Sequence, residues 1–453
     1  MKKIDPLLTA CDLKWNYPIF NMERGEFRSC CRTPAVKITE EDMNTNEDVF
    51  LNSPKQKESR AALLRGEKHS DCQSCWNLEA SGTTSPRHDS KEFWSHLRRQ
   101  GRVDKTANYD ETKLLELISD ESDVTLLEAH TPYMLEINIG STCDMKCMYC
   151  THHYSTQWAA ERIKYGEISQ SQYDIEFPKA PSRFNEKFWE WFNNVGRHSV
   201  VRIGVIGGEP LITPEFYTFV NKLIESISEI QPAKKNKIMF WVVTNLNTPP
   251  NYLEKFFKYF PSLTEIFDVE ILVSMESVGP RAEYIRNGVN WERFTSNMEK
   301  LLQKTELKFD FGVIMSLNVL NITSLQDFIM YTEELYKKYG RPVGLKQNII
   351  SFPDWQSPML LTPDFADYLT KCAEYMKPRA VNMPVVADPL ARWDQYATFL
   401  ETIADSIRNN TDDKSALRKK FAEWFGVYDE RRKLNMTETF PEYTDFYNLC
   451  KSI

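Results

Sequence analysis

The stretch Thr142-Cys143-Asp144-Met145-Lys146-Cys147-Met148-Tyr149-Cys150 places three thiols within eight residues, in the order Cys-x3-Cys-x2-Cys. It follows the segment 134–139, whose alternation of apolar and polar residues predicts a β-strand. Thiolates this close together in one loop can converge on one soft metal centre. A structural zinc site or a saturated iron–sulfur cluster usually takes four protein ligands. Three thiols therefore predict a metal with one position left for another ligand.

This spacing, with an aromatic residue just before the last cysteine, resembles the radical SAM superfamily. The resemblance implies that the three cysteines hold a [4Fe–4S] cluster whose open iron binds the amino and carboxylate groups of S-adenosylmethionine (SAM). It also implies that Tyr149 packs near the adenine and that reductive cleavage of SAM gives a 5′-deoxyadenosyl radical. The alternative is a zinc knuckle whose fourth ligand lies elsewhere, with His152 and His153 close by.

The composition of the 453-residue chain fits a globular protein of two or three domains with a sizeable core. A net charge of −8 argues against a broad basic surface for nucleic acid. No apolar run approaches the roughly 18 residues that span a bilayer. The start of the chain imitates a lipoprotein signal, but Asp5 and Pro6 interrupt its short apolar part. We therefore expect a cytoplasmic protein with no membrane partner.

Ten cysteines are grouped along the chain, and eight of them fall in its first third. Such grouping indicates metal binding in a reducing compartment rather than disulfides. Cys372 and Cys450 stand alone, and we expect them to be buried thiols.

A second cysteine group lies near the N-terminus. It offers four soft ligands, enough to close a tetrahedral or a cubane site: Cys11, Cys30, Cys72 and Cys75. Gly25 fits a turn between the first two, because glycine freely takes positive φ. Cys31 follows Cys30 directly and would point away from it if the segment is extended, so one of the two is a spare.

This group resembles the auxiliary-cluster element of SPASM/twitch domains, although it precedes the barrel here instead of following it. Further residues match the N-terminal-twitch group of radical SAM proteins: Trp76, Glu79, Gly82, Ser85 and Arg87. The resemblance implies an auxiliary [4Fe–4S] cluster on the four cysteines. A zinc ribbon with the same ligands, or unliganded thiols, are the alternatives.

From residue 134 onward, expected strands alternate with expected helices. The strands are 134–139, 200–206, 238–243, 268–275, 308–315 and 343–350, and the helices are 157–165, 184–195, 214–229, 250–259, 291–304 and 323–338. This alternation predicts parallel βα units, six of which are too few to close an eight-stranded barrel. The predicted fold class is α/β, with a partial (β/α)6 TIM-like radical SAM barrel, an N-terminal auxiliary-cluster domain and a helical C-terminal extension.

Four segments follow from this interpretation. They are a twitch-like domain at 1–95, a linker with helices at 96–131, the partial barrel at 132–356 and the helical extension at 357–453. In the extension we expect helices at 363–377, 391–409 and 414–433. The last is amphipathic and is expected to pack into the core. It ends in Tyr428-Asp429-Glu430-Arg431-Arg432, which resembles a C-terminal signature of the N-terminal-twitch group and suggests no chemistry.

A glycine turn, Gly207-Gly208-Glu209-Pro210, ends the second expected strand. Two glycines let the backbone approach a ligand closely, Glu209 offers an acceptor for an ammonium group, and Pro210 fixes the turn. About sixty residues after the cysteine loop, this turn resembles the radical SAM motif that contacts the amino group of SAM.

Polar residues follow the later strands. Thr244 and Asn245 end the third strand, a position where polar side chains line the site. The resemblance implies that the others approach the ribose or the carboxylate of SAM: Ser274, Glu276, Arg286 and Asn318. Arg286 can pair with a carboxylate through its planar fork, although an ordinary ion pair on a helix surface is the alternative. Gln347 and Asn348 are candidates to flank the adenine. The sequence assigns no catalytic acid, base or radical-quenching residue.

The function expected from these resemblances is hydrogen abstraction by a radical SAM enzyme. The expected substrate is a peptide or protein side chain that becomes cross-linked, epimerised or oxidised. The alternatives are a small carbohydrate or nucleoside as substrate and, from another class, a non-catalytic iron–sulfur or zinc protein. The resemblance also implies a flavodoxin- or ferredoxin-type electron donor and an auxiliary cluster that assists electron transfer.

Overall fold

The computed structural model describes residues 9–45, 48–80, 85–99, 101, 132–230, 236–383, 388 and 391–453. Within these ranges the strands β1 to β11 cover, in chain order, Ile19–Asn21, Glu26–Arg28, Val36–Lys37, Met134–Asn138, Lys146–Cys147, Arg202–Ile206, Ile238–Thr244, Phe267–Ser274, Arg286–Asn287, Phe309–Leu317 and Gly344–Ile349. The helices α1 to α19 cover Leu13–Asn16, Glu40–Met43, Pro54–Leu64, Gln73–Ala80, Pro86–Arg99, Thr156–Lys164, Gln170–Glu176, Phe184–Trp191, Arg197–Ser199, Pro214–Ser228, Pro250–Ile266, Gly279–Ile285, Trp291–Gln303, Leu325–Tyr339, Ala366–Ala380, Trp393–Asn409, Ser415–Arg432, Met436–Thr439 and Thr444–Lys451.

The chain divides into two compact units. The first comprises Met1–Thr142, Ile163–Val242 and Tyr259–Val269. The second comprises Cys143–Arg162, Val243–Lys258 and Glu270–Ile453.

The first unit contains strands in the order β7-β6-β4-β1-β2-β3. The pairings of β4 with β6, of β6 with β7 and of β1 with β4 are parallel, whereas β2 pairs antiparallel with β1 and with β3. In the register, Ile203 lies opposite Leu135 and Phe240, and all three are buried. Strands covered on both faces are mainly apolar, as β7 is up to its last residue, Thr244.

An aromatic cluster fills the core of the first unit near β1. Phe20 in β1 contacts the rings of Phe27, Phe50, Phe188 and Trp191 at centroid distances of 4.9 to 5.3 Å. Large rings bury much apolar surface, and edge-to-face contacts add to the stability that this burial supplies. The cluster therefore anchors the N-terminal strands against α8.

The second unit contains most of β8 together with β10 and β11, in the order β11-β10-β8, and a separate ribbon made of β5 and β9. β10 and β11 are parallel, with Val313 opposite Leu345. In the ribbon, which is antiparallel, Lys146 lies opposite Asn287 and Cys147 lies opposite Arg286.

The C-terminal helices also belong to the second unit. Helix α17 buries Phe421, Phe425 and Tyr428, so its predicted role as a core-packing helix is confirmed. Cys372 and Cys450 are buried, as expected. None of the helices in the part of the chain that the structure describes is long and apolar enough to cross a membrane.

The α/β fold class is confirmed, and each of the six predicted strands is present within two residues of its expected ends. The expected helices are present as well, although 250–259 extends to Ile266. Most of the expected linker at 96–131 lies outside the described residues. The sequence did not predict the three short N-terminal strands.

Candidate functional site

The three motif cysteines are half-buried on one loop of the second unit. The β5–β9 ribbon places Cys147 opposite Arg286. The Ser155 hydroxyl donates to the Met145 carbonyl at 2.7 Å, and Trp158 Nε1 donates to the Cys147 carbonyl at 2.9 Å. Strand pairing and side-chain hydrogen bonds thus fix the path of the loop between the first and second cysteines.

Burial raises the pKa of the Cys147 thiol to about 12 and that of Cys150 to about 11, and the charge of Arg286 opposes both shifts. Thiols bind metals as thiolates, so a metal bound here must displace protons and bind strongly to the sulfurs. Three soft donors on one fixed loop are a set that a [4Fe–4S] cluster fits.

A buried ion pair stands beside the loop. Arg286 and Glu276 are 4% and 0% exposed, and Nη2 of Arg286 donates to Oε2 of Glu276 at 2.6 Å. Tyr149 Oη donates to Oε1 of Glu276 at 3.0 Å, and the Arg286 guanidinium lies 5.5 Å from the Tyr149 ring centroid. Arg286 Nη1 also lies 3.8 Å from the Cys147 sulfur. The alternative of a surface ion pair on a helix is wrong, because both charges are buried and Arg286 lies in β9.

The turn after β7 also contacts the cysteine loop. Asn245 Nδ2 donates to Oδ1 of Asp144 at 3.0 Å, and Asn247 Nδ2 donates to Oδ2 of the same carboxylate at 2.9 Å. The Thr244 hydroxyl accepts from the Leu246 N–H at 3.0 Å. The sequence predicted Asn245 as a site residue but missed Asn247. The available signal was a second asparagine two positions after the first.

The two remaining candidates in the second unit differ in exposure. Ser274 is half-buried at the end of β8. Asn318 is fully buried, and its amide hydrogen-bonds within its own turn, donating to the Ser316 carbonyl at 2.9 Å and accepting from the Leu320 N–H at 3.0 Å. These bonds give Asn318 a structural role, and its contact with the ribose stays a prediction.

The glycine turn belongs to the first unit. Gly208 N–H donates to the Gly140 carbonyl at 2.8 Å, and Glu209 N–H donates to the Thr142 carbonyl at 2.7 Å. Thr142 is the residue that precedes Cys143 in the sequence. A Cβ on Gly208 would lie 2.2 Å from the Thr142 carbonyl oxygen, so only glycine fits there. The turn is therefore packed, backbone against backbone, on the segment that leads into the cysteine loop.

Glu209 is fully buried in the turn. One of its carboxylate oxygens accepts from the Leu211 N–H at 3.1 Å, and its carbonyl accepts from the Thr213 hydroxyl at 2.8 Å. Pro210 begins a short 3-10 turn directly before α10. The carboxylate thus caps the start of that turn, and its contact with an ammonium group stays a prediction.

The four N-terminal cysteines, Cys11, Cys30, Cys72 and Cys75, are all buried in the first unit. Burial raises the pKa of Cys11, and Asp12, Cys30 and Cys72 raise it further by their negative charge. Burial raises the pKa of Cys72 to about 12, the positive charge of Lys14 opposes this shift, and Cys30 and Cys75 add to it. The structure therefore brings the four predicted thiols close enough to interact electrostatically.

Cys30 and Cys31 lie in a turn, not in an extended segment. Their thiols hydrogen-bond to each other, which lowers the pKa of Cys30 and raises that of Cys31. The expectation that the two side chains point apart is wrong for this reason. Gly25 has φ +65°, which confirms the predicted turn between Cys11 and Cys30.

Residues that carry the twitch resemblance form one hydrogen-bonded group. Arg87 Nε donates to Glu79 at 2.9 Å, the Ser85 hydroxyl donates to the same oxygen at 2.6 Å, and the Arg87 guanidinium lies 4.4 Å from the Trp76 ring centroid. Arg87 Nη1 also donates to the carbonyl of Ala10 at 2.9 Å, beside the first cysteine. Gly82 lies outside the described residues.

Lys14 is a buried cation that sequence reasoning missed. Its ammonium group is 3.0 Å from the Ser29 hydroxyl and 3.2 Å from Asp71, residues that immediately precede Cys30 and Cys72. The signal was a lysine three residues after Cys11, between Leu13 and Trp15.

Comparison with protein families finds one match. Residues 137–328 match the model of the radical SAM superfamily, a segment that contains the three motif cysteines, the glycine turn and Arg286. No curated protein sequence matches the chain.

Three crystal structures of Streptococcus suis SuiB are similar to the chain. SuiB bound to S-adenosylmethionine is 12% identical over 81% of this chain and 67% of SuiB, with a TM-score of 0.34. The structure of SuiB by itself is 12% identical over 81% of this chain and 68% of SuiB, with a TM-score of 0.36. SuiB bound to the precursor peptide SuiA is 11% identical over 90% of this chain and 71% of SuiB, with a TM-score of 0.33. TM-scores this low carry no argument about function.

Proposed function

Because residues 137–328 belong to the radical SAM superfamily, we propose that this protein is a radical SAM enzyme that holds a [4Fe–4S] cluster on Cys143, Cys147 and Cys150. The observation that carries the proposal is the placement of three thiols on one fixed loop inside the matched segment. When bound, the cluster supplies one electron that breaks a carbon–sulfur bond of SAM, leaving methionine and a 5′-deoxyadenosyl radical that takes a hydrogen atom from the substrate.

The side chains of the second unit hold and orient the groups around the cysteine loop. Arg286, paired with Glu276, keeps a positive charge beside the Cys147 sulfur, and Tyr149 is held by its hydrogen bond to Glu276. We propose that Tyr149 packs near the adenine and that Thr244, Asn245, Ser274 and Asn318 approach the rest of SAM.

The glycine turn presents backbone to a ligand. Gly208 has no space for a side chain, and Glu209 is held by the turn. We propose that Gly207, Gly208, Glu209 and Pro210 contact the amino group of SAM, since a backbone without Cβ atoms admits the closest approach.

For the N-terminal site we propose an auxiliary [4Fe–4S] cluster on Cys11, Cys30, Cys72 and Cys75. Four soft donors in one buried core support the proposal, and zinc on the same ligands is the alternative. A cluster closed by four cysteines has no position for the substrate, so its expected role is to assist electron transfer.

The decisive experiment is the detection of 5′-deoxyadenosine. We expect that the anaerobically reconstituted and reduced protein converts SAM to 5′-deoxyadenosine and methionine, and that a Cys150→Ala variant does not. A fully iron-loaded wild-type protein that leaves SAM intact would favour the alternative of a non-catalytic metal protein.

Metal analysis tests the two sites separately. A Cys143/Cys147/Cys150→Ala triple variant is expected to retain about four irons per chain, the content of one cubane cluster. Zinc in that variant instead of iron would contradict the auxiliary-cluster proposal and leave the SAM site untouched.

The substrate that we propose is a peptide or protein side chain, cross-linked, epimerised or oxidised, as in SPASM/twitch relatives. A small carbohydrate or nucleoside is the alternative. A deuterated candidate substrate should pass its label to 5′-deoxyadenosine, and a candidate that passes none is not the substrate. We further propose a cytoplasmic location, a flavodoxin- or ferredoxin-type donor and the domain limits 1–95, 96–131, 132–356 and 357–453.

A further inference from the structure

The last turn of α17 buries two polar side chains. Tyr428 is 2% exposed, and the side chain of Arg432, the last residue of the helix, is 5% exposed. Arginine is rarely buried this far unless a partner compensates its lost hydration. The partners of Arg432 are therefore informative.

The first partner links Arg432 to the cysteine loop. Arg432 Nη2 donates to Oε2 of Glu161 at 3.0 Å, and Lys146 Nζ donates to the same oxygen at 2.7 Å. Lys146 lies in β5, between Cys143 and Cys147. Arg431 Nη1 lies 3.8 Å from Oε1, the other oxygen of Glu161. Three cations thus share one buried carboxylate, which connects the end of α17 to the middle of the loop.

The second link runs through aromatic rings. The Arg432 guanidinium lies 3.8 Å from the ring centroid of Tyr428 and 4.9 Å from that of Trp158. Trp158 in turn donates to the Cys147 carbonyl at 2.9 Å. A planar guanidinium can stack on rings and pair with a carboxylate at the same time, which lysine cannot do.

The third link reaches the end of α12, directly before β9, which is the other strand of the ribbon. Tyr428 Oη donates to the Tyr284 carbonyl at 2.8 Å, and Tyr284 Oη donates to Oδ1 of Asp429 at 2.6 Å. Tyr284 precedes Arg286 by two residues, and Arg286 lies opposite Cys147. One helix end is therefore linked to β5 through Glu161 and to the residues directly before β9 through Tyr284.

We propose that Tyr428, Asp429 and Arg432, here called the ribbon clamp, position the β5–β9 ribbon so that Cys147 is held in place for the metal, with Arg432 as the central positioning residue. This inference rests on the proposed function, because it concerns the cluster that SAM contacts. Loss of Arg432 leaves Lys146 and the more distant Arg431 on Glu161 and removes the stack on Trp158. Residues that hold metal ligands in place typically change metal affinity about 10–100-fold when they are replaced.

The test compares the electron paramagnetic resonance spectrum of the reduced, iron-loaded full-length protein before and after addition of SAM. In Arg432→Gln we expect the SAM-induced change to fall at least about threefold, and iron loss from the protein to a chelator to become about tenfold faster. Arg432→Lys should recover part of the signal, because it keeps the charge on Glu161 without the stack. Arg408 lies on α16 and is an exposed partner of Asp367 on α15. Arg408→Gln is the matched control and should behave as wild type.

Circular dichroism identifies any variant that fails to fold. In that case Tyr428→Phe, which removes one hydroxyl and its bond to the Tyr284 carbonyl, should show the same spectral change to a smaller degree. A wild-type response to SAM in folded Arg432→Gln would overturn the inference and leave the proposed function intact. A wild-type protein whose spectrum ignores SAM would overturn the proposed function, and this inference with it.

Discussion

Nη2 of Arg286 and Oε2 of Glu276 are 2.6 Å apart, and Nε of the same arginine contacts both carboxylate oxygens at 3.0 and 3.1 Å. Both residues are almost completely buried. A pair with this geometry satisfies most of the hydrogen-bonding capacity of its two charges, which is what makes such burial tolerable. Tyr149 and Cys147, two residues of the cysteine loop, contact this pair, so a change in the pair should alter the loop directly.

Replacing Arg286 with methionine should destabilise the protein by about 3–5 kcal/mol, because Glu276 would keep a buried charge without its partner. Urea unfolding of the anaerobically loaded protein, followed by fluorescence, measures the change. The double variant Arg286→Met/Glu276→Met should lose less than the single variant. Arg392→Met, which removes a half-exposed partner of Asp394, is the control and should cost at most about 1 kcal/mol. Equal losses of stability in Arg286→Met and Arg392→Met would show that burial of the ion pair does not determine its contribution.

Adding a methyl group at Gly208 should disrupt the glycine turn, because the new Cβ would meet the Thr142 carbonyl oxygen at 2.2 Å. We expect SAM to bind Gly208→Ala at least about tenfold more weakly, a loss of about 1.4 kcal/mol. Titration calorimetry on the loaded protein measures the affinity. Gly426→Ala is the matched control: its nearest neighbour, Tyr447 Oη, is 3.8 Å away, and alanine suits the interior of α17. Unchanged affinity in Gly208→Ala would show that the turn does not serve SAM.

Truncating Asn247 should loosen the cysteine loop. Its amide donates to Asp144 and to the Gly288 carbonyl, and it accepts from the Asn290 N–H at 2.9 Å. Asn247 is buried, and Asn247→Ala removes these three hydrogen bonds, so we expect a loss of about 1–3 kcal/mol in the free energy of unfolding. The exposed Asn382 provides the control, and Asn382→Ala should change stability by less than about 0.5 kcal/mol.

Removing the charge of Lys14 should weaken the N-terminal metal site. Lys14→Met leaves Asp71, which is 10% exposed, without its cation next to Cys72. We expect metal to leave the N-terminal site about tenfold faster under a chelator. The measurement is best made in the Cys143/Cys147/Cys150→Ala background, because the three cysteines proposed to hold the other cluster are then absent and the metal released comes from the N-terminal site. Lys55→Met, an exposed lysine on α3, should release metal at the unaltered rate.

The central strands could be predicted because buried parallel strands contain short apolar runs separated by helices. β7 follows that pattern up to Val243, and β10 follows it from Phe311 to Met315. The cysteine groups could be predicted because their spacing is local. β1, in contrast, is three residues long and shows no period, and its partner β4 lies more than a hundred residues later. A pairing of that kind is set by the folded core and not by local sequence.

Long-range polar contacts escaped prediction for the same reason. Arg432 and Glu161 are 271 residues apart, and nothing near either residue identifies the other. Asn245 was found because it ends a strand, where site residues concentrate. Asn247 and Lys14 act through partners that only the fold brings close.

The pairing of β1 with β4 bears on how the two metal sites can be separated experimentally. A fragment that starts at residue 132 would expose one side of β4 as a free edge, with its N–H and C=O groups open to other chains, and such edges promote aggregation. Truncation would therefore confound loss of the N-terminal metal with loss of solubility. Dissecting the two centres calls for cysteine substitutions in the intact polypeptide.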